Sequence, residues 1–292
     1  MLWFRKRPEA ADAPGVAERI VPAEPPLALD PGLFREHFEK LLGDAEQGGG
    51  IESYLIALNA KQHRFAELLG SGSAANLGMS ELECLLDQVF TARRRLYPAL
   101  ERLGMTRAAE LVHELLSGPA PLARRLQNFV DAVPGAECMD RESLRAAAKM
   151  RRAAWDFAAE LLHFSDPVQF PLMSRWVWDQ GTQSGALREF LRGNDALREI
   201  PFSNDPGLFE GARRWLAERI AEEGIYRDVP FWIDLVLAQA YTTYFRSVTD
   251  GSLGADFGRG VSAHEQLKKL LGIDAPRDQG RTRVKKAVMS NG

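Results

Sequence analysis

The chain has 292 residues, of which 45% are hydrophobic and 26% charged, so it can bury a large core and has a globular composition. Its 37 Lys and Arg against 40 Asp and Glu leave a formal net charge of -3, which argues against general nucleic-acid binding. The apolar run VPFWIDLVLAQAY is interrupted by Asp234 and Gln239 and is shorter than the roughly 20 residues that span a bilayer. No apolar region of a secretory signal follows the RKR at residues 5–7, so we expect a cytoplasmic protein.

Both ends of the sequence have compositions that do not favour a buried core. Residues 1–31 contain six of the 16 prolines and few aromatic residues, which predicts a flexible leader. Residues 275–292 include RDQGRTRVKKAVMSNG and predict a loose basic tail. We therefore expect the folded part to extend from residue 32 to residue 274.

Helical periodicity fills this central part. In FREHFEKLL the apolar residues recur at i, i+4, i+7 and i+8, which is the spacing of one buried helix face. No segment alternates with a period of two between turn residues, so strands are not expected. The periodicity predicts an all-α fold of roughly eleven helices, with a possible division into two lobes near residues 134–140.

Several local details follow from the same patterns. Asp140 is the expected N-cap of a long helix that ends at Phe164. Ser80 and Glu83 have the spacing of a capping box, and SGALREFLRG at residues 184–193 has a helical pattern. Cys84 lies in the apolar run LECLLDQVF, so we expect a buried and reduced thiol there.

The best metal signal is a Glu-x-x-His spacing that occurs twice, as Glu110 with His113 and as Glu160 with His163. Two such pairs, with further glutamates from other helices, hold two metal ions in some helical bundles. Here Glu83 is the only other glutamate in an apolar helix stripe that could complete such a site. The spacing therefore favours solvated positions, or positions near helix ends, over a metal centre. No GxSxG, CxxC or GK[ST] motif marks a nucleophile, a zinc site or a phosphate loop. We expect no cofactor.

The stretch LLHFSDPVQFPLMSRWVWD, residues 161–179, combines one histidine and two prolines with large aromatic side chains. Asp166-Pro167 is expected to end one helix, because proline disfavours helical backbone in the residue before it. Phe170-Pro171 is expected to make a second turn. The pattern favours a structural corner between two core helices over a reaction centre.

The same stretch resembles a segment of helix-hairpin-helix DNA glycosylase-like proteins. The shared pattern is a helix that ends in L-H-F, a D-P corner, and then F-P and a helix that leads to an aspartate, within residues 151–209. The resemblance implies that Asp179 corresponds to the family's catalytic aspartate, which stabilises an oxocarbenium-like sugar. The glycine-rich hairpin that grips the DNA backbone and the catalytic lysine are missing from this sequence.

Two hypotheses from different classes follow. The favoured one is a non-catalytic accessory protein with a protein partner, because Trp and Arg are frequent interface anchors. Its partner-binding residues would be Phe170, Arg175, Trp176 and Trp178. The alternative is a DNA-binding protein or glycosylase-like enzyme on a helical scaffold, with Asp179 as the catalytic carboxylate and paired arginines on phosphates.

Overall fold

The computed structural model describes residues 20–70, 74, 77–134, 140–250, 261–274 and 284. The α-helices within these residues are α1 (Pro31–Gln47), α2 (Ile51–Leu69), α3 (Met79–Asp87), α4 (Tyr97–Leu103), α5 (Met105–Ser117), α6 (Leu122–Ala132), α7 (Arg141–Ser165), α8 (Pro206–Glu222), α9 (Val229–Asp250) and α10 (Ala263–Leu270). No strand occurs in this described part, where Asp179 and Ser184 form an isolated bridge. The all-α fold is confirmed, and the number of helices is close to the number expected.

Aspartate side chains define where three of the helices begin. Asp30 accepts hydrogen bonds from the backbone N–H groups at the start of α1, and Asp205 does the same for α8. Asp140 accepts from the backbone of Glu142 and Ser143, so the N-cap predicted for the long helix α7 is confirmed. Such caps satisfy backbone donors that have no partner inside the helix.

Helix α3 differs from its prediction. It begins at Met79 after Gly78, so Ser80 lies inside the first turn and hydrogen-bonds to Glu81 at 2.9 Å instead of forming a box with Glu83. Cys84 is exposed, and the prediction of a buried thiol was wrong. The apolar face of this helix consists of Leu82, Leu85 and Leu86, and position 84 points away from it.

The segment SGALREFLRG forms a 3-10 helix at Ala186–Phe190 instead of an α-helix. The preceding Gly185 has a φ of 139°, and a Cβ there would lie 2.8 Å from the Cα of Trp178, so this position requires glycine. Arg188 then donates to the backbone carbonyls of Asn194 and Leu197, at 2.7 and 2.8 Å. Close backbone packing at Gly185 and the hydrogen bonds of the half-buried Arg188, which are tertiary features, determine this segment.

One hydrophobic core includes buried residues from all ten helices of the described chain. Helix α7 crosses it, and almost every residue from Ala153 to Phe164 is buried, as expected of a helix surrounded by protein. Helix α7 packs against α2, α5 and α6, and α9 packs against α1, α8 and α10. Residues on both sides of 134–140 contribute to this core, and residues 135–139 themselves lie outside the described part.

In the part of the chain that the structure describes, no helix is both long enough and apolar enough to cross a membrane. Most of the predicted leader and tail, residues 1–19 and 275–292 except Val284, lies outside the described residues. Val284 is buried in the hydrophobic core.

Candidate functional site

The part of the predicted corner that follows α7, residues 166–179, is attached to this helix by hydrogen bonds with three α7 side chains. Trp155 donates its indole N–H to the carbonyl of Met173 at 2.8 Å, and Asp156 accepts the backbone N–H of Arg175 at 2.8 Å. His163 hydrogen-bonds to the carbonyl of Phe170 at 2.8 Å. The corner therefore takes its shape from polar groups that face it from the neighbouring helix.

Three of the four residues predicted to bind a partner lie in the core. Phe170, Trp176 and Trp178 are at most 6% exposed, whereas Arg175 is partly exposed. Trp178 donates to the carbonyl of Phe202 at 3.2 Å and meets the ring of that residue edge-on. In this conformation only Arg175 can reach a partner at the protein surface.

Asp179 is buried, and its carboxylate is used by its own surroundings. It pairs with Arg175, accepts from the hydroxyl of Thr182 at 2.9 Å and accepts from the backbone N–H of Gly181 at 3.0 Å. These bonds close the turn that leads back to Ser184. The aspartate that the resemblance places in a catalytic role thus stabilises a turn in this structure.

The two Glu-x-x-His pairs lie in different environments. Glu110 and His113 are exposed on α5, where Glu110 pairs with Arg107 at 3.1 Å. Glu160 and His163 are buried in α7, and each already has a protein partner. Among the described residues, no three His, Cys, Asp or Glu side chains come together to hold a metal ion.

Helix α7 carries a buried polar stripe, which consists of Asp156, Glu160 and His163 at i, i+4 and i+7. This spacing places the three side chains on one side of the helix. All three are almost completely buried, and a buried charge is costly unless it is paired. The partners come from α2, from α9 and from the corner.

Lys61 of α2 is the partner of Glu160, and the two side chains are 2.6 Å apart. The ammonium group also donates to the carbonyls of Gln88 and Leu271, at 3.0 and 2.7 Å, and lies over the ring of Phe164 at 4.0 Å. All three protons therefore have acceptors. A single buried lysine joins α2, α7, the end of α3 and the end of α10.

His163 is held between two acceptors. Its Nδ1 lies 2.8 Å from the carbonyl of Phe170, and its Nε2 lies 2.8 Å from the carboxylate of Asp234 on α9. Because the carbonyl oxygen can only accept, Nδ1–H donates to Phe170, and Nε2 faces the carboxylate of Asp234. Neither nitrogen has a lone pair free for a metal ion, so this histidine fixes the corner to α9.

Burial changes the protonation of the two acids in this stripe. It raises the pKa of Glu160 to about 7, although Lys61 opposes the rise. It also raises the pKa of Asp156 to about 6, against the backbone N–H and the charge of Arg175. Both groups thus bind protons more tightly in the folded protein than in the unfolded chain.

The free energy of unfolding is therefore expected to fall as the pH rises from about 4 to about 7, with a contribution on the order of 3 kcal/mol from Glu160. In this window the folded protein holds protons that the unfolded chain has released, so higher pH favours unfolding. Urea denaturation followed by circular dichroism at several pH values measures the effect. Glu160→Gln removes this titration, and an equally steep pH dependence in that variant would assign the effect to other groups.

A cavity of about 220 Å³ lies beside the polar stripe, between α9, α10, the corner and the turn after α3. Its aromatic walls come from Phe90, Trp176, Tyr241 and Phe245. The other residues that line it are Thr91, Thr242, Gln266 and Leu270. The described residues around this cavity thus form an apolar site with a few polar groups, which is the usual composition of a ligand pocket.

Asp156 of the polar stripe interacts electrostatically with Tyr241, which lines the cavity. Burial raises the pKa of Tyr241, and the charge of Asp156 adds to this rise, so the phenol and the carboxylate interact. The buried Asp156 is therefore close enough to Tyr241 for their charges to interact, although Asp156 does not line the cavity.

The sequence patterns do not predict that Lys61 and Asp156 are buried polar residues, nor that a cavity forms. A signal for Lys61 was present, since it lies on the apolar stripe of α2 between Leu58 and Phe65, at i+3 and i+7. In the sequence, Asp234 is recognisable only as an interruption of an apolar run. The cavity gave no sequence signal, because its walls come from four separate segments.

No protein-family model, no curated protein and no solved structure matches this chain. The resemblance of residues 151–209 to helix-hairpin-helix glycosylase-like proteins therefore stays a prediction.

Proposed function

We propose that the protein is a non-catalytic binding protein that holds a small, largely apolar molecule in the aromatic cavity. The observation that carries this proposal is the cavity itself, about 220 Å³ in volume and walled by four aromatic side chains. Aromatic walls favour flat ligands, because ring faces and edges stack at low entropic cost.

The volume limits the size of the ligand. A buried apolar cavity of about 150 Å³ accepts a benzene-sized molecule. The cavity here is larger, at about 220 Å³, so it has room for two fused rings. This size suits a small metabolite or a ring system that forms part of a larger molecule.

The proposal keeps the non-catalytic character expected from the sequence but replaces the protein partner with a small-molecule ligand. Its support is the burial of Phe170, Trp176 and Trp178, which leaves few anchors for a protein partner at the corner. Trp176 instead forms one of the cavity walls. The engagement of Asp179 in its own turn favours binding over catalysis there.

Naphthalene is the probe for this proposal, and we expect it to bind with a Kd of about 100 µM, a modest affinity for ten carbon atoms. Equilibrium dialysis measures the bound fraction directly. Leu270→Trp adds an indole ring to the cavity wall and is expected to weaken binding at least tenfold.

The matched control is Ile56→Trp, which makes the same kind of change at an exposed site outside the cavity and should leave binding unchanged. Circular dichroism checks that both variants keep their helix content. Absence of naphthalene binding to the parent protein, or equal binding by both variants, would contradict the proposal.

A further inference from the structure

Four basic side chains form a row along the first half of α7. The members of this basic row are Arg141, Arg145, Lys149 and Arg152. All four are exposed, and their spacing keeps them within an arc of about 80° around the helix axis and a length of about 16 Å. On the opposite side of the helix, Met150 and Ala154 pack against the core. The row therefore faces away from the protein.

Within the described part of the chain, no ion pair involves a member of the basic row. Other exposed arginines do form ion pairs. Arg107 pairs with Glu110 and Glu114 on α5, and Arg151, which lies beside the row, pairs with Asp131 of α6. The row thus differs from the usual solvated surface of this protein, where cations and acids alternate.

The position of the row is unfavourable for the helix itself. Like charges four residues apart repel each other, and cations are favoured near the C-terminal end of a helix, whereas this row begins at the first residue of α7. The acids Asp140 and Glu142 flank Arg141, but no acid follows them until Asp156. Interactions within the helix therefore do not explain the row, whereas an anionic ligand would neutralise it.

We propose that the basic row binds the phosphate groups of a nucleic-acid backbone. Lys and Arg side chains that neutralise phosphates release bound counterions, and this release supplies most of the free energy of non-specific binding. The net charge of -3 belongs to the whole chain and argues against contact over the general surface, but it leaves a local row of four cations available. The inference is independent of the cavity, because no member of the row lines it.

The composition of this face favours nucleic acid over other anionic partners. Protein–protein interfaces have an apolar core that is depleted in charged residues, whereas nucleic-acid interfaces are polar and strongly positive. Leu144, at 44%, is the one large apolar side chain that is exposed in residues 141–152. A helix that lies on a membrane inserts its apolar face, but here Met150 and Ala154 on that side pack against the core.

Fluorescence anisotropy of a labelled DNA duplex of about 24 base pairs tests the proposal with the full chain. We expect a Kd on the order of 1 µM in 25 mM NaCl. Four phosphate contacts predict a slope of about -3.6 when the logarithm of the association constant is plotted against that of the salt concentration. Arg145→Gln/Lys149→Gln removes the two central cations, so it should halve this slope and weaken binding about tenfold or more in 25 mM NaCl.

The matched control is Arg198→Gln/Arg214→Gln, which removes the same charge from two exposed positions outside α7. It should keep the slope of the parent protein and weaken binding by less than about threefold, because distant charges are partly screened. Circular dichroism and urea denaturation check that both double variants keep their helix content and stability.

A loss of affinity and slope that is confined to the α7 variant supports the proposal. Absence of DNA binding by the parent protein in 25 mM NaCl, or an equal loss in both double variants, would overturn it. Tighter binding of poly-L-glutamate or of phosphatidylserine vesicles than of DNA would also overturn it and would assign the row to an acidic protein or to a membrane surface.

Discussion

Lys61→Met is expected to lower the free energy of unfolding by about 3–5 kcal/mol, because it leaves the buried carboxyl of Glu160 without its partner. The two groups are 2.6 Å apart, and both side chains are almost completely buried. The variant also removes a donor from the carbonyls of Gln88 and Leu271. Urea denaturation followed by circular dichroism measures the loss.

The size of this loss should depend on pH. At pH 5 the unpaired Glu160 can hold a proton and become neutral, so the loss should be smaller there than at pH 8. The double variant Lys61→Met/Glu160→Gln carries no charge at either position and should recover about half of the loss. If the double variant were as unstable as Lys61→Met, the cost would come from the two carbonyls and the packing, not from the buried charge.

Trp178→Ala is expected to destabilise the protein by about 3–5 kcal/mol, the usual cost of truncating a large buried aromatic side chain. Trp178 has no exposed surface, meets Phe202 edge-on at 5.3 Å between ring centroids, and donates its N–H to the carbonyl of the same residue. The midpoint of urea denaturation measures the effect.

Trp178→Phe separates the two contributions of this side chain. It keeps a ring in the core and loses the hydrogen bond, so a smaller loss of about 1–2 kcal/mol is expected. A surface anchor for a partner would behave differently, because its replacement by alanine would leave stability nearly unchanged. Unchanged stability of Trp178→Ala would contradict the buried role and favour the partner-binding hypothesis.

The polar stripe and the cavity have two different roles. The stripe is paired within the protein, Glu160 with Lys61 and His163 with Asp234. These pairs join helices and fix their positions. The cavity differs from the stripe, because it leaves a volume of about 220 Å³ open between aromatic side chains. This contrast is why we place binding at the cavity and a structural role at the stripe.

The sequence by itself determined the fold class and several helix limits. Periodic apolar residues predicted the helices, and Asp140 was identified as a cap because capping depends on residues within one helical turn. The corner at residues 161–179 was also predicted to be structural, since Asp166-Pro167 disfavours continued helix. These are local effects, and local effects can be read from neighbouring residues.

Only the tertiary structure decided which polar residues meet and where a cavity forms. Lys61 and Glu160 are 99 residues apart in the sequence, and His163 and Asp234 are 71 apart, so no local pattern pairs them. The burial of Trp176 and Trp178 depends on how α9 and the 3-10 segment pack over the corner, which periodicity does not specify. Local sequence patterns predict the helices. The packing of distant helices creates the paired charges and the aromatic cavity.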